Sequence, residues 1–332
     1  MRRLLTVNFV PCALFVTCLY VVVRAGSFSG RSQWRAALSS NLGSMAGTVL
    51  GLTACTAVLA LVLHPFQVRA VRVLEGYWDR WEVTSRLADV LVEVQRRKRE
   101  GLRVSGAGYT QSPVATGVER LGEQARAERR YVRAERIRVS AMRRLGPELD
   151  SSSLLPTALG NALRAGELAA GERYGLATLA SWPRIYMQVS RRMVQALDET
   201  RDALDAAVNL CHSFLAIALV LSVALHDEPG EWWIPVSAAV LSAVSYKGAV
   251  IAAQSYSGLM LVVYDLHRFD LLKALHYRLP DSTEEWSLFS RLSDLFVAGG
   301  GTYSRHQAER TVNWPYDHDG SGPDDGDGSA GA

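Results

Sequence analysis

Charged and aromatic side chains crowd into one segment of the chain, between Leu154 and Tyr186. Arginine forms bidentate hydrogen bonds to phosphate and carboxylate groups and stacks on aromatic rings. A polar pocket in this segment would therefore suit an anionic ligand such as a nucleotide or a lipid headgroup. The alternative is that charges such as Arg164 and Glu167 pair with each other and fix a helical hairpin. Eight residues are candidates for either role: Asn161, Arg164, Glu167, Arg173, Tyr174, Trp182, Arg184 and Tyr186.

Local patterns indicate the elements that position these side chains. Pro156 and Thr157 end an extended approach, and apolar residues from Leu159 to Leu168 recur at helical spacing. Gly175 suits a helix C-cap, where a left-handed backbone conformation is needed. A long helix is expected to begin near Pro183, because proline is tolerated in the first turn.

The segment resembles a family of bacterial integral membrane proteins of unknown function. The shared pattern is L-P-T-x-L-G-N-x-L-R-A-x-E, then R-Y-G, then W-P-R-x-Y, and the family often has arginine where this chain has Ala158. The run from Asp265 to Leu275 also resembles the last membrane-proximal segment of that family. The resemblance implies two helix pairs with a cytoplasmic domain between them, and it implies no established activity. The matching residues are Leu155, Pro156, Thr157, Leu159, Gly160, Asn161, Leu163, Arg164, Ala165, Glu167, Arg173, Tyr174, Gly175, Trp182, Pro183, Arg184 and Tyr186.

Four apolar stretches dominate the rest of the sequence. A stretch of about 20 residues crosses the hydrocarbon core of a bilayer, about 30 Å thick, as a single helix. All four cysteines lie inside these stretches, which is unlike a disulfide framework or a zinc site. The first stretch lacks a convincing cleavage site and is expected to be retained. The stretches are Leu4–Val23, Ser44–Leu63, Ala206–Leu225 and Trp232–Ala253.

The distribution of arginine predicts the orientation of the four spans. Short loops that keep Lys and Arg tend to stay in the cytoplasm, and the loop at 226–231 has neither residue. That loop is expected to face outward. Arg69, Arg72, Arg80 and Arg86 follow the second stretch and are expected to lie inside. The predicted location is the inner membrane of a bacterium, with both termini in the cytoplasm.

These patterns together predict an all-α membrane protein with four transmembrane helices in two hairpins and an inserted cytoplasmic helical domain. Within that domain, one amphipathic helix is expected from Phe66 to Arg103 and a highly charged helix from Val118 to Leu145. The Ser282-x-x-Glu285 capping box opens the last helix, with Trp286, Phe289, Leu292 and Leu295 on its apolar side. The predicted divisions are a first hairpin at 1–65, the helical domain at 66–205, a second hairpin at 206–279, a short amphipathic helix at 280–298 and a disordered, acidic, glycine-rich tail at 299–332.

Three glycines repeat every four residues at the start of the second stretch: Gly43, Gly47 and Gly51. Such spacing places small residues on one helix face, where another helix can approach closely. The partner would be a helix of the same chain or a second copy of the protein.

No motif of a known enzyme class occurs: the sequence lacks a P-loop, G-x-S-x-G, H-E-x-x-H and a strand-linked G-x-G-x-x-G. No cofactor is expected. Arginine outnumbers lysine 33 to 3, which reflects a GC-rich genome better than nucleic-acid binding. Three functions stay open: a non-enzymatic membrane scaffold or sensor that binds a protein or anionic ligand, an oligomeric pore or ligand-gated effector, and an unrecognised membrane enzyme. The expected partners are membrane lipids, a second copy of the chain and a cytoplasmic protein.

Overall fold

The chain is helical wherever its structure is described. The computed structural model describes residues 4–28, 30–34, 42–78, 82–107 and 154–298, with four isolated positions between 129 and 136. No strand occurs in these ranges. Their α-helices are α1 (Val10–Arg24), α2 (Leu42–Leu63), α3 (Gln67–Glu75), α4 (Glu82–Ala107), α5 (Ala158–Ala169), α6 (Thr178–Tyr186), α7 (Arg191–Ala224), α8 (Trp233–Ala274) and α9 (Glu285–Ala298).

Four helical segments in the described ranges are long and apolar enough to cross a membrane, which confirms the count of predicted spans. They are Val7–Arg24, Ala46–Glu75, Arg191–Ala224 and Pro229–Ala274. Helices α7 and α8 contain 34 and 42 residues. At 1.5 Å per residue they measure about 50 and 60 Å, well beyond the roughly 30 Å of a hydrocarbon core. The four helices suggest a multi-pass membrane protein.

The chain divides into two compact units, and the first comprises residues 1–165 and 198–256. One apolar cluster in this unit joins Val22 of α1 to Leu221 of α7, to Leu225 directly after α7 and to Ala238 of α8. A second cluster joins Leu159 of α5 to a set of residues from α3, α7 and α8, including Leu74, Val208, Ala249 and Ala253. Small residues at these contacts allow the helices to pack closely.

Two connecting segments of the first unit meet at one end of its helices. The Ser32 amide donates a hydrogen bond to Glu228 Oε1 at 2.5 Å. Trp34 packs against the apolar cluster around Leu221. These residues belong to the segment after α1 and to the segment between α7 and α8, the two segments that the sequence predicts on the outer side.

The helix predicted from Phe66 to Arg103 is interrupted. A 3₁₀ turn at His64–Phe66 leads directly into α3, as expected for a span that continues past Pro65. Helix α3 then ends at Gly76, which adopts the left-handed conformation with φ of 94°. A Cβ at Gly76 would lie 2.5 Å from Pro156 Cγ. Close contact between the end of α3 and the segment before α5 therefore requires glycine here. A new helix, α4, begins only at Glu82.

The long helix predicted to begin near Pro183 is also two helices. Pro183 lies inside α6, which begins at Thr178, and the helix that continues to the third span begins separately at Arg191. The prediction placed the proline in the first turn, but the extended residue Ala177 already precedes the helix.

The second unit comprises residues 166–197 and 257–332, of which the structure describes residues up to 298. Its core contains Leu271 and Leu272 at the end of α8 and Leu288, Phe289 and Leu292 of α9, all buried. Helix α9 packs against α6. Trp286, predicted on the apolar side of α9, is instead 62% exposed.

Two sequence predictions fall outside the described residues. These are the charged helix at 118–145, apart from single helical positions within it, and the acidic tail at 299–332.

Candidate functional site

The start of the block that resembles the membrane-protein family docks α5 onto the end of α3. Thr157 Oγ1 donates a hydrogen bond to the Glu75 carbonyl oxygen at 2.8 Å, and the Gly160 amide donates to Thr157 Oγ1 at 3.0 Å. A Cβ on Gly160 would overlap that same Glu75 carbonyl oxygen. The threonine therefore donates to a carbonyl in the last turn of α3, and the glycine permits the close approach.

Asn161 holds the turn that precedes α5. Its Oδ1 accepts a hydrogen bond from the Leu155 amide at 2.9 Å, and its Nδ2 donates to the Leu155 carbonyl at 2.7 Å. Asn161 is only 5% exposed. Both ends of its side-chain amide are thus occupied by one backbone residue, which leaves little capacity for a ligand.

In the second unit, the turn between α5 and α6 is fixed by two hydroxyl groups. Thr178 Oγ1 donates to the Glu167 carbonyl at 2.7 Å and accepts from the Gly171 amide at 3.0 Å. Gly175 has a φ of 86°, as its predicted capping role requires, and Ser293 Oγ of α9 donates to its carbonyl at 2.8 Å. Both hydroxyl groups supply hydrogen-bond partners that backbone groups of the turn would otherwise lack.

Arg173 and Tyr174 belong to a cluster that the tertiary structure assembles in the second unit. Tyr174 OH donates to Asp265 Oδ1 at 2.7 Å, and Arg173 Nη2 lies 3.0 Å from the same oxygen. Arg268 Nε donates to Glu285 Oε1 at 2.8 Å. The guanidinium carbons of Arg268 and Arg173 lie 4.4 and 4.6 Å from the centre of the Tyr174 ring, within the range of cation–π attraction.

The charges of this cluster balance. Arg173 is paired with Asp265, and Arg268 with Glu285, whose side chain is only 22% exposed. Burial of the Tyr174 ring raises the pKa of the phenol above its ordinary value, and the hydrogen bond to Asp265 raises this pKa further. Tyr174 is therefore neutral at physiological pH and donates its proton to the carboxylate.

The aromatic residues of α6 pack within the same unit. The Trp182 ring lies 6.1 Å from the Tyr264 ring of α8 in a stacked arrangement and 5.8 Å from the Tyr186 ring. Arg184 lies over Phe296 of α9 at 4.0 Å and donates to the Ala180 carbonyl at 2.7 Å. These contacts join α6 to α8 and α9.

The eight predicted site residues do not fall into one described cluster. Asn161 and Arg164 belong to the first unit, and the other six belong to the second. Arg164 and Glu167 are both partly buried. Sequence reasoning missed Arg268 and Glu285 as members of the Tyr174 cluster, and it noted Asp265 only as the start of a run that resembles the membrane-protein family.

The predicted glycine face of α2 is open where it is described. A Cβ on Gly47 or Gly51 would meet no atom within 4 Å, and Gly43 lies in the first turn of the same helix. Cys55, one turn after Gly51, is exposed as well.

Asparagine side chains link three helical segments of the first unit. Asn209 Nδ2 of α7 donates to Asn8 Oδ1 at 2.8 Å and to the Val7 carbonyl at 3.0 Å. Asn8 Nδ2 lies 2.9 Å from His64 Nδ1, which follows α2. His212, by contrast, contacts the Val208 carbonyl of its own helix at 2.9 Å. Asn8 and Asn209 lie within the first and third predicted stretches, and His64 directly follows the second.

Comparison with protein families, with curated proteins and with solved structures finds no match to this chain. The resemblance of the Leu154–Tyr186 segment to a membrane-protein family thus stays a prediction. Within the described residues, no group of three or more His, Cys, Asp or Glu side chains is placed to hold a metal ion.

Proposed function

We propose that the chain is a non-enzymatic integral membrane protein, a scaffold or sensor, whose helical part outside the bilayer binds a protein partner. The observation that carries this proposal is an exposed apolar stripe on α6. Leu179 and the C-cap residue Met187, which directly follows α6, are 69% and 80% exposed, and Pro183 between them is exposed as well. A spacing of four residues places all three on one side of the helix.

The opposite side of α6 accounts for its fixed position. Thr178, Ser181 and Ile185 are buried in the second unit. The stripe formed by Leu179, Pro183 and Met187 therefore sits on a helix that is held on its other side by packing and hydrogen bonds. Contiguous apolar surface on a fixed helix is typical of protein interaction sites.

A protein partner agrees better with the cluster around Tyr174 than an anionic ligand does. Two of the arginines that would hold an anion, Arg173 and Arg268, already pair with carboxylates. Removing either arginine from its carboxylate to bind an anion would leave that carboxylate unpaired, which is costly for the partly buried Glu285. The cluster is better suited to fixing the helices that carry the stripe.

We place the second unit and both termini in the cytoplasm of a bacterium, with the two hairpins in its inner membrane. The arginine-free loop at 226–231 and the contact of its Glu228 with Ser32 support an outer position for both short connections.

Site-specific photo-crosslinking tests the proposed partner surface. A photoreactive amino acid at Met187 should yield one adduct of defined mass in intact cells, and the same amino acid at the exposed Glu284 should not. The adduct should disappear in Leu179→Asp, an exposed substitution that is expected to leave the thermal unfolding midpoint nearly unchanged. Equal adducts from both positions, or an adduct that survives Leu179→Asp, would contradict the proposal.

A second candidate function is an oligomeric pore or effector assembled through α2. The open surroundings of Gly47 and Gly51 favour it, because small-residue faces of membrane helices pack against other helices. Cys55 extends the same face at the four-residue spacing and is exposed.

Oxidative crosslinking in native membranes tests this second candidate. If α2 pairs with its copy through the glycine face, Cys55 should form a disulfide-linked dimer that Cys55→Ser abolishes. Cys18→Ser serves as the matched control and should leave the dimer intact. A chain that stays monomeric under oxidation, and conducts no ions after reconstitution, would rule out the pore.

A further inference from the structure

We infer that the solvent side of α3 is a binding surface for anionic phospholipid headgroups. The surface consists of Phe66, Val68, Arg69, Arg72 and Val73. The inference rests on the membrane insertion proposed above, but not on the protein partner.

The two sides of α3 differ in their surroundings. Ala70, Val71 and Leu74 pack against the apolar cluster of the first unit. On the other side, Phe66, Val68 and Val73 are 49%, 59% and 53% exposed. Three large apolar side chains exposed on one side of a nine-residue helix and the turn that leads into it are unfavourable in water.

The same side carries two cations. Arg69 and Arg72 are exposed, and neither forms an ion pair with a carboxylate in the part of the chain that the structure describes. Arg69 lies over the Phe66 ring at 5.9 Å from its centre. Apolar and cationic side chains thus share one exposed side, where the apolar groups can contact the bilayer and the guanidinium groups can reach anionic headgroups.

The connection of α3 to α2 fixes the depth at which this surface would lie. Helix α3 follows α2, which carries the predicted stretch Ser44–Leu63, after one 3₁₀ turn at His64–Phe66. It therefore begins where the hydrocarbon core ends and the headgroups begin. Tyr77, directly after the helix, is 53% exposed, and aromatic residues are enriched at that depth. The phosphate of an anionic lipid would accept hydrogen bonds from the two guanidinium groups.

Lipid titration of the detergent-purified full chain, followed by native mass spectrometry, tests the inference. The probes are palmitoyl-oleoyl phosphatidylglycerol and the zwitterionic phosphatidylcholine with the same acyl chains. The wild-type chain should bind the anionic lipid more tightly. In the double variant Arg69→Gln/Arg72→Gln, the affinity for the anionic lipid should fall roughly 10- to 30-fold, and the affinity for phosphatidylcholine should not change.

Two further variants make the result specific to α3. Arg96→Gln/Arg97→Gln removes the same charge from an exposed part of α4 and should bind both lipids as the wild type does. Arg69→Lys/Arg72→Lys should retain most of the preference, because it keeps the charge. The inference is overturned if the α3 glutamine variant binds the anionic lipid as tightly as the wild type, or if the α4 variant loses as much affinity. A chain that does not enter bilayers of either lipid on reconstitution would instead contradict the proposed membrane insertion.

Discussion

Replacing Gly160 with alanine should force α5 away from the end of α3. The new Cβ would overlap the Glu75 carbonyl oxygen and lie 2.9 Å from Leu155 Cδ1. Because the first of these atoms belongs to the backbone, the helices must separate by roughly 1 Å to reach ordinary contact distance. The hydrogen bond from Thr157 to the same oxygen, now 2.8 Å long, would then be lost.

The expected loss of stability combines three effects. Overpacking costs about 1–3 kcal/mol, and loss of the Thr157 hydrogen bond costs roughly 0.5–1.5 kcal/mol. Alanine in a helix offsets about 1 kcal/mol of this cost. We therefore expect Gly160→Ala to lower the free energy of unfolding by about 0.5–3.5 kcal/mol, which at about 2–4 °C per kcal/mol corresponds to a fall of roughly 1–14 °C in Tm.

Gly258→Ala is the matched control for this prediction. Gly258 lies within α8, and a Cβ there would meet no atom within 4 Å. The same chemical change should thus be neutral or stabilising by up to about 1 kcal/mol. Tm is measured for both variants by thermal unfolding of the detergent-purified chain. A Gly160→Ala variant as stable as Gly258→Ala would refute the docking of α5 described here.

Three further predictions concern polar contacts. Arg268→Ala should lower the free energy of unfolding by about 2–3 kcal/mol, because it leaves the partly buried Glu285 unpaired. Arg97→Ala removes an exposed ion pair and should lower the free energy of unfolding by less than about 1 kcal/mol. Equal losses in denaturant unfolding would contradict this assignment. The raised pKa of Tyr174 means that the neutral phenol stabilises the fold below about pH 10 and that this contribution is lost as pH rises through the raised pKa. Tyr174→Phe should therefore show a shallower fall of Tm above pH 10 than the wild type, and identical slopes would count against the cluster. Asn209→Leu should cost about 1 kcal/mol in the same detergent unfolding assay, since it removes the donor to two oxygens, and an unchanged midpoint would show that the link is dispensable.

Much of the fold was predictable because the decisive signals are local. The four spans follow from the length and composition of single stretches, and each is recovered as a helix. Gly175 adopts the left-handed conformation that its position after a short helix predicts. Gly76 carried the same signal, but the amphipathic pattern on either side of it favoured one helix, and the break became evident only from its contact with Pro156.

The candidate site was less predictable because its contacts are distant in sequence. Tyr174 and Asp265 are 91 residues apart, and spacing rules relate only neighbours on the same helix. The sequence grouped Asn161 with Arg173 by proximity along the chain, whereas the structure gives them separate sets of partners. Likewise, Gly160 was only a match to the family pattern in the sequence, and only the fold identifies the Glu75 carbonyl as the group it approaches.

Accessibility of introduced cysteines in intact cells tests the proposed membrane arrangement most directly. In a Cys55→Ser background, Glu231→Cys probes the connection between α7 and α8, and Met187→Cys probes the exposed stripe of α6. A membrane-impermeant maleimide should label Glu231→Cys in intact cells and Met187→Cys only after the membrane is permeabilised. Labelling of Met187→Cys in intact cells, with or without labelling of Glu231→Cys, would contradict the proposed cytoplasmic location of the second unit.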